Sequence, residues 1–110
     1  MIAKTLLDYL DSVLDVPVVM EAPKQRTDYV LIDQTGSSRA NHIITTTFAI
    51  QSYGASLYDA MVLNEGVKDA MVGFAELDTI TRVELQTDYN FTNTATKQYR
   101  WQAVFSITHY

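Results

Sequence analysis

Histidines, carboxylates and phosphate-binding loops are the residue sets that could carry chemistry in this chain. His42 opens an apolar run and His109 is next to last. Neither belongs to an H-x-H or H-x-x-x-H spacing, and there is no cysteine to complete a zinc site. Both therefore read as surface histidines at strand ends. Asp8, Asp11 and Asp15 form an acidic stripe. Carboxylates on one helix present splayed oxygens, whereas calcium takes roughly 6–8 oxygens from a folded loop, so the stripe reads as a solvated face. Glu21, Glu76, Asp78 and Glu84 make no recognisable acid–base pair. There is no G-x-S-x-G and no phosphate-binding glycine loop. Gly36-Ser37-Ser38-Arg39 is polar enough to hold an anion, but it is no P-loop. The expectation is a protein that is not an enzyme, with no catalytic residues, no cofactor and no metal.

Composition narrows the class further. A chain of 110 residues with 47% hydrophobic content is expected to form one domain spanning 1–110. The absence of cysteine excludes disulfide scaffolds and thiol chemistry. Eight basic against 13 acidic residues give a net charge of −5, the wrong sign for a phosphate-tracking nucleic-acid binder. The longest apolar stretches, Val16–Met20 and Ala70–Ala75, fall far short of the ~18 residues of a membrane span. Asp8 and Asp11 interrupt what would be the apolar region of a signal peptide, so the chain is expected to fold in a cytoplasm and the sequon at Asn90 is read as chance.

The elements that must position these residues follow from periodicity. Residues 2–15 predict an amphipathic helix, with Ile2, Leu6, Leu7, Tyr9, Leu10, Val13 and Leu14 on one arc. Pro17 stops it. Val18–Glu21 predicts a short strand, and Ala22–Asp28, with Pro23, Lys24 and Arg26, a polar connection. Tyr29–Thr35 and His42–Tyr53 predict a hairpin around a loop at Gly36–Asn41. Ser56 with Asp59 three residues on signals a helix start, and the helix should run over Leu57–Val72 and stop at Gly73. Thr79–Tyr89 alternates, with Thr81, Val83, Leu85, Thr87 and Tyr89 on one face. After a loop at Asn90–Gln98, Tyr99–Tyr110 alternates again. A turn at Thr94 would set Asp88 opposite Arg100 as a cross-strand ion pair. The expected fold is α+β, in the order α-β-β-β-α-β-β. About 4–5 antiparallel strands carry both helices on one face, over Trp101, Phe105, Phe48 and Ile50.

Two features point to interaction. The second helix has a core face of Leu57, Ala60, Leu63, Val67, Ala70, Met71 and Phe74, yet Tyr58, Met61, Val62 and Val72 lie outside that arc. A helix apolar on two sides needs a second partner, either the first helix or another subunit. The two long loops, which contain Arg39 and Lys97, are ordinary surface turns or, in a ring, the reach towards a neighbour. The candidate subunit interface is thus Tyr58, Met61, Val62, Val72, Arg39 and Lys97.

The run YVLIDQTGSSRANHIITTTFAIQSYGAS (Tyr29–Ser56), the Ala/Met/Val helix after it and the ending YRWQAVFSITHY (Tyr99–Tyr110) resemble a family of small proteins from tailed phages. These are the tail terminator, or tail-completion, proteins of long-tailed bacteriophages and prophages. The resemblance covers nearly the whole chain and rests on the order of structural motifs. It implies a virion structural protein that forms a ring, usually a hexamer, on the finished tail tube. Such a ring ends tube polymerisation and offers a surface to the head–tail connector protein. It implies as partners further copies of the chain, the tail-tube protein and the connector, with DNA passing through the lumen without specific binding and no role for a membrane. Its place would be the virion neck, after assembly in the host cytoplasm. Six copies would bring a large negative charge, which in the lumen would repel DNA. Competing expectations are another head–tail joining adaptor and a small host ligand-binding α+β domain.

Overall fold

Helix α1 (Ile2–Val13) turns Ala3, Leu6 and Leu10 into the core, the spacing of one helical face. It ends two residues short of the expected bound at residue 15, because Leu14 is already extended on the way to Pro17. The computed structural model describes residues 1–24 and 28–110. Arg26 of the polar connection lies outside the described residues.

Strand β1 is only Val18–Val19. It is followed by β2 (Tyr29–Ala40), β3 (Ile43–Gly54), helix α2 (Leu57–Phe74), β4 (Ile80–Asn90) and β5 (Tyr99–His109). The fold is α+β with the element order read from the sequence. Its sheet has the strand order β1-β2-β3-β5-β4. All pairings are antiparallel except the short one, where β1 runs parallel to β2 through Val18↔Val30 and Val19↔Leu31. Both helices pack on one face of the sheet. Between the layers lies a core of Leu6, Leu10, Val30, Ile32, Phe48, Ile50, Val67, Met71, Phe74, Phe105 and Ile107. Trp101, expected there, is only half-buried at the margin.

Several local expectations are corrected. The Gly36–Asn41 loop does not exist as such: β2 runs on to Ala40, and the chain reverses at Asn41 and His42, with φ of 52° and 67°. Two consecutive left-handed residues make the tight hairpin turn whose twist matches the flanking strands. Helix α2 continues through Gly73 to bury Phe74 completely. Gly73 is there for close approach, since a Cβ would run into the Tyr9 hydroxyl of α1. That hydroxyl donates to the Ala70 carbonyl at 2.8 Å and locks the two helices together. The start of α2 is as read: Ser56 accepts a hydrogen bond from the Asp59 N–H at 3.1 Å. Leu57, expected in the core, is exposed in that first turn. Its place on the buried stripe is taken further along by a polar residue, Asn64.

Strand β4 departs most from its pattern. The register to β5 shifts between Ile80 and Arg82 and again between Leu85 and Thr87. Each bulge adds one unpaired residue, and everything beyond it changes face. Val83 and Leu85 therefore point to the helices, while Thr87 and Tyr89 point away. Asp88 pairs with Ala103 and turns inward. Arg100 is not its partner.

Candidate interaction surface

The sheet has one face under the helices and one face, called the open face below, that carries no helix but buries Tyr29, Tyr53 and Gln102 near the β4–β5 loop, and each side holds a polar assembly that the alternation did not foretell. On the helix side, the inward turn of Asp88 brings it to α2. Its Oδ2 accepts from Lys68 Nζ and from Asn64 Nδ2, both at 2.9 Å. Lys68 also reaches Glu65 at 3.0 Å. The Lys68 hydrogen bond, then those from Asn64 and the Trp101 side chain, hold the Asp88 carboxyl below the usual aspartate range against a partial desolvation. Hydrogen bonds to Asp88 and Glu65 hold the Lys68 ammonium above its ordinary value. Nearby, Asn64 Oδ1 and Ser52 Oγ are buried without a hydrogen-bond partner. The sequence signal for this cluster is a single polar residue, Asn64, at helical spacing between Ala60 and Val67.

On the open face, Tyr29 and Tyr53 stack with ring centroids 4.3 Å apart and planes 15° from parallel. Burial, followed by the neighbouring Tyr53, raises the Tyr29 hydroxyl pKa. The Tyr53 hydroxyl donates to Gln51 at 2.7 Å and accepts from Arg100 Nη1 at 3.2 Å. Gln51 donates to Gln102 at 2.8 Å, and Gln102 in turn donates to the Tyr89 hydroxyl. Arg100 Nε donates a hydrogen bond to the Phe91 carbonyl at 2.6 Å, with the guanidinium 4.4 Å above the Phe91 ring. The hairpin closes between Asn93 and Gln98 and not at Thr94, so Arg100 falls level with Phe91 and takes this cation–π seat in place of the expected ion pair with Asp88. The network spans β3, β5, β4 and the loop after it, and it fixes the end of the sheet at which the β4–β5 loop turns.

The histidines separate. His42 sits exposed in the turn. His109 is buried, contrary to the surface reading, because Thr46 on the neighbouring strand faces it and bonds its Nε2 at 2.9 Å. A strand-end histidine next to a threonine on the helix side has a ready partner, which strict alternation of polar and apolar residues does not reveal. Among the described residues no group of three or more histidines and carboxylates is placed to hold a metal ion.

The candidate interface residues fall in three places. Tyr58, Met61, Val62 and Val72 are 73%, 43%, 51% and 71% exposed, so α1 does not cover them. They lie along the outer face of α2 with Glu65 and Asp69 between them, Tyr58–Val62 at one end and Val72 about 15 Å away at a rise of 1.5 Å per residue. Beside Val72, an open groove of about 470 Å³ runs between α2 and β4, lined by Lys68, Met71, Val83, Leu85 and Phe105. Arg39 belongs to β2 near the Asn41–His42 turn. Lys97 lies in the β4–β5 loop with φ of 55°. The strand register puts these two loops at opposite ends of the sheet, since Ile44 pairs with His109 and Gly54 with Tyr99. The structure therefore does not bring Arg39 and Lys97 together.

Charge is also sorted by layer. Asp8, Asp11 and Asp15 lie on or just after α1, Asp59, Glu65 and Asp69 on α2, and Glu76 and Asp78 in the turn that follows. Lys4 and Lys68 are the only lysines on those helices. The open sheet face carries Asp33 and Glu84 balanced by Arg82 and Arg100, among threonine, serine and glutamine side chains. Among the described residues no helix is long and apolar enough to cross a membrane. A scan against models of protein families finds no match, and a search of curated proteins finds none either.

Proposed function

We infer that this chain is a virion structural protein of the tail terminator kind, which closes into a ring on the end of a tail tube, ends tube growth and offers a surface to the connector. The observation that carries the reading is the outer face of α2. Four large apolar side chains stand in solvent along one helix, beside an apolar groove, in a domain whose core is already complete. Exposed apolar surface of this kind marks association sites and ligand grooves alike, and its run along the outside of one helix suits the former. The elongated shape, 44 × 25 × 22 Å, with a loop at each end of the sheet, suits a wedge that meets one structure above and another below. The resemblance of Tyr29–Ser56 and Tyr99–Tyr110 to the terminator family is the ground for reading those structures as tail tube and connector.

The sorting of charge supports passage of DNA without binding. The helix layer is acidic and the open sheet face is neutral and rich in hydroxyls, so neither offers the basic footprint that holds phosphates. An assembled ring that bound duplex DNA tightly at physiological salt would count against this part of the reading.

The test is to add the protein to polymerising tail-tube protein and measure tube lengths by electron microscopy, with mass measured in solution alongside. Growth that stops, with a ring at one tube end, is the expected result. Binding to the connector with no effect on tube length would transfer the protein to the head–tail joining adaptors. A monomer indifferent to both, with a small ligand bound, would make it a ligand-binding domain.

A further inference from the structure

We propose that neighbouring copies join edge to edge through their sheets, the outer edge of β2 in one copy pairing with the outer edge of β4 in the next. This rests on the ring reading and names the contact that would build the ring.

Strands β2 and β4 flank the sheet, apart from two residues of β1. β1 covers only Val30 and Leu31, and every residue of β2 from Asp33 to Ala40 is exposed. Among the described residues nothing pairs with that edge, nor with the outer edge of β4. An unpaired edge is a row of backbone donors and acceptors that a second strand can satisfy.

The two edges match in level, length and direction. Arg39 is in line with Ile44, His109 and Ile80 across the sheet, and Asp33 with Ala49, Val104 and Thr87. The free part of β2 therefore occupies the same rows as Ile80–Thr87 of β4. Three successive antiparallel pairings make β2 and β4 run in opposite directions. A copy rotated about an axis along the strands keeps its rows level and brings its β2 antiparallel to β4, which continues the alternation of the sheet. The contact joins two different patches, as a cyclic ring requires.

The bulges fit the same scheme. β2 has one between Gln34 and Gly36, and β4 has two. Bulges bend a sheet, and a sheet that closes on itself must bend. The contact would also place the neighbour's β2 edge beside Leu85 and Val72, which are exposed at the mouth of the groove between α2 and β4.

The test uses the absence of cysteine, which makes every introduced thiol a clean reporter. Ser38 is in line with Thr45, Thr108 and Arg82, so Ser38→Cys in one copy and Arg82→Cys in another would meet on the same face of a joined sheet. Both positions are exposed, and circular dichroism will confirm that the variants fold. The single variants are mixed and oxidised, alone and with tail-tube protein, beside a mixture of Met61→Cys and Val72→Cys. The expected result is a disulfide dimer between Ser38→Cys and Arg82→Cys at least ten-fold above either variant alone, and, in a chain carrying both Ser38→Cys and Arg82→Cys, a ladder ending in a closed species. A ring seen by mass in which Ser38 and Arg82 stay unlinked would overturn the edge pairing, whether or not Met61 and Val72 join, and leave the ring reading intact. A chain that stays monomeric at every concentration and with tube protein present would overturn the ring reading, and the edge pairing with it.

Discussion

Asp88→Asn removes the charge from the cluster under α2 while keeping its shape. In the parent, one carboxylate oxygen accepts from Lys68 and Asn64 at 2.9 Å each. Hydrogen bonds to a charged group contribute about 1.5–3 kcal/mol each when buried. The Lys68 and Asp88 side chains keep 23% and 26% of their exposure, so solvent screens part of that and the net loss should be about 1–2 kcal/mol. Urea denaturation at pH 7 will measure it. The pH dependence is the sharper test. A carboxyl held below its unfolded value stabilises the fold above a pH of about 4, and the gain is lost as pH falls through the folded value. The gap between parent and Asp88→Asn should therefore narrow steadily on acidification below about pH 4. Lys68, held above its ordinary value, contributes at all pH below about 10.4 and loses that contribution as pH rises through its folded value. A double-mutant cycle with Lys68→Met should show coupling, because the two residues touch. A gap unchanged from pH 7 to pH 3, or variants additive within about 0.3 kcal/mol, would refute the claim that the second β4 bulge delivers Asp88 to Lys68.

Other substitutions test separate parts of the structure. Met61→Asp or Val62→Asp should leave monomer stability within about 0.5 kcal/mol by urea denaturation and weaken assembly in solution mass measurements. If both variants unfold, those residues belong to the core and the interface argument fails. His42→Gly should stabilise the hairpin by about 1 kcal/mol, since a left-handed backbone is costly for a residue with a Cβ; a fall in thermal midpoint would count against the turn. Gly54→Ala should destabilise by about 1–3 kcal/mol, because its Cβ would lie 2.6 Å from the Ala60 backbone nitrogen and push on the first turn of α2. Chemical denaturation of that variant with an unchanged midpoint would refute the close approach.

What the sequence made legible was whatever leaves a period. The apolar spacing of α1, the Ser56 start of α2 and the alternation of β5 each write their geometry into consecutive residues, and the element order followed from them. A bulge leaves no such trace. Thr81-Arg82-Val83-Glu84-Leu85-Gln86-Thr87 alternates without a break on paper, yet the register slips at Gln86 and reverses the address of every residue after it. The Asp88–Lys68 contact is hidden for that reason. The expected Asp88–Arg100 pair fails for another: the hairpin closes between Asn93 and Gln98 rather than at Thr94, which sets Asp88 opposite Ala103. The turn at Asn41–His42 is not legible in the sequence because the second residue of such a turn is usually glycine. The outer apolar residues of α2 were visible as a face, but only three dimensions show that α1 leaves them uncovered.

The division between an acidic helix layer and a neutral sheet face gives the molecule an electric dipole along the sheet normal. Within roughly 8 Å, the screening length at physiological ionic strength, a polyanion approaching from the helix side is turned away, while one approaching from the sheet side meets almost no field. Such a distribution favours approaches in which the sheet face, rather than the helix face, meets a polyanion. That preference belongs to the arrangement of its layers, so no single substitution will abolish it.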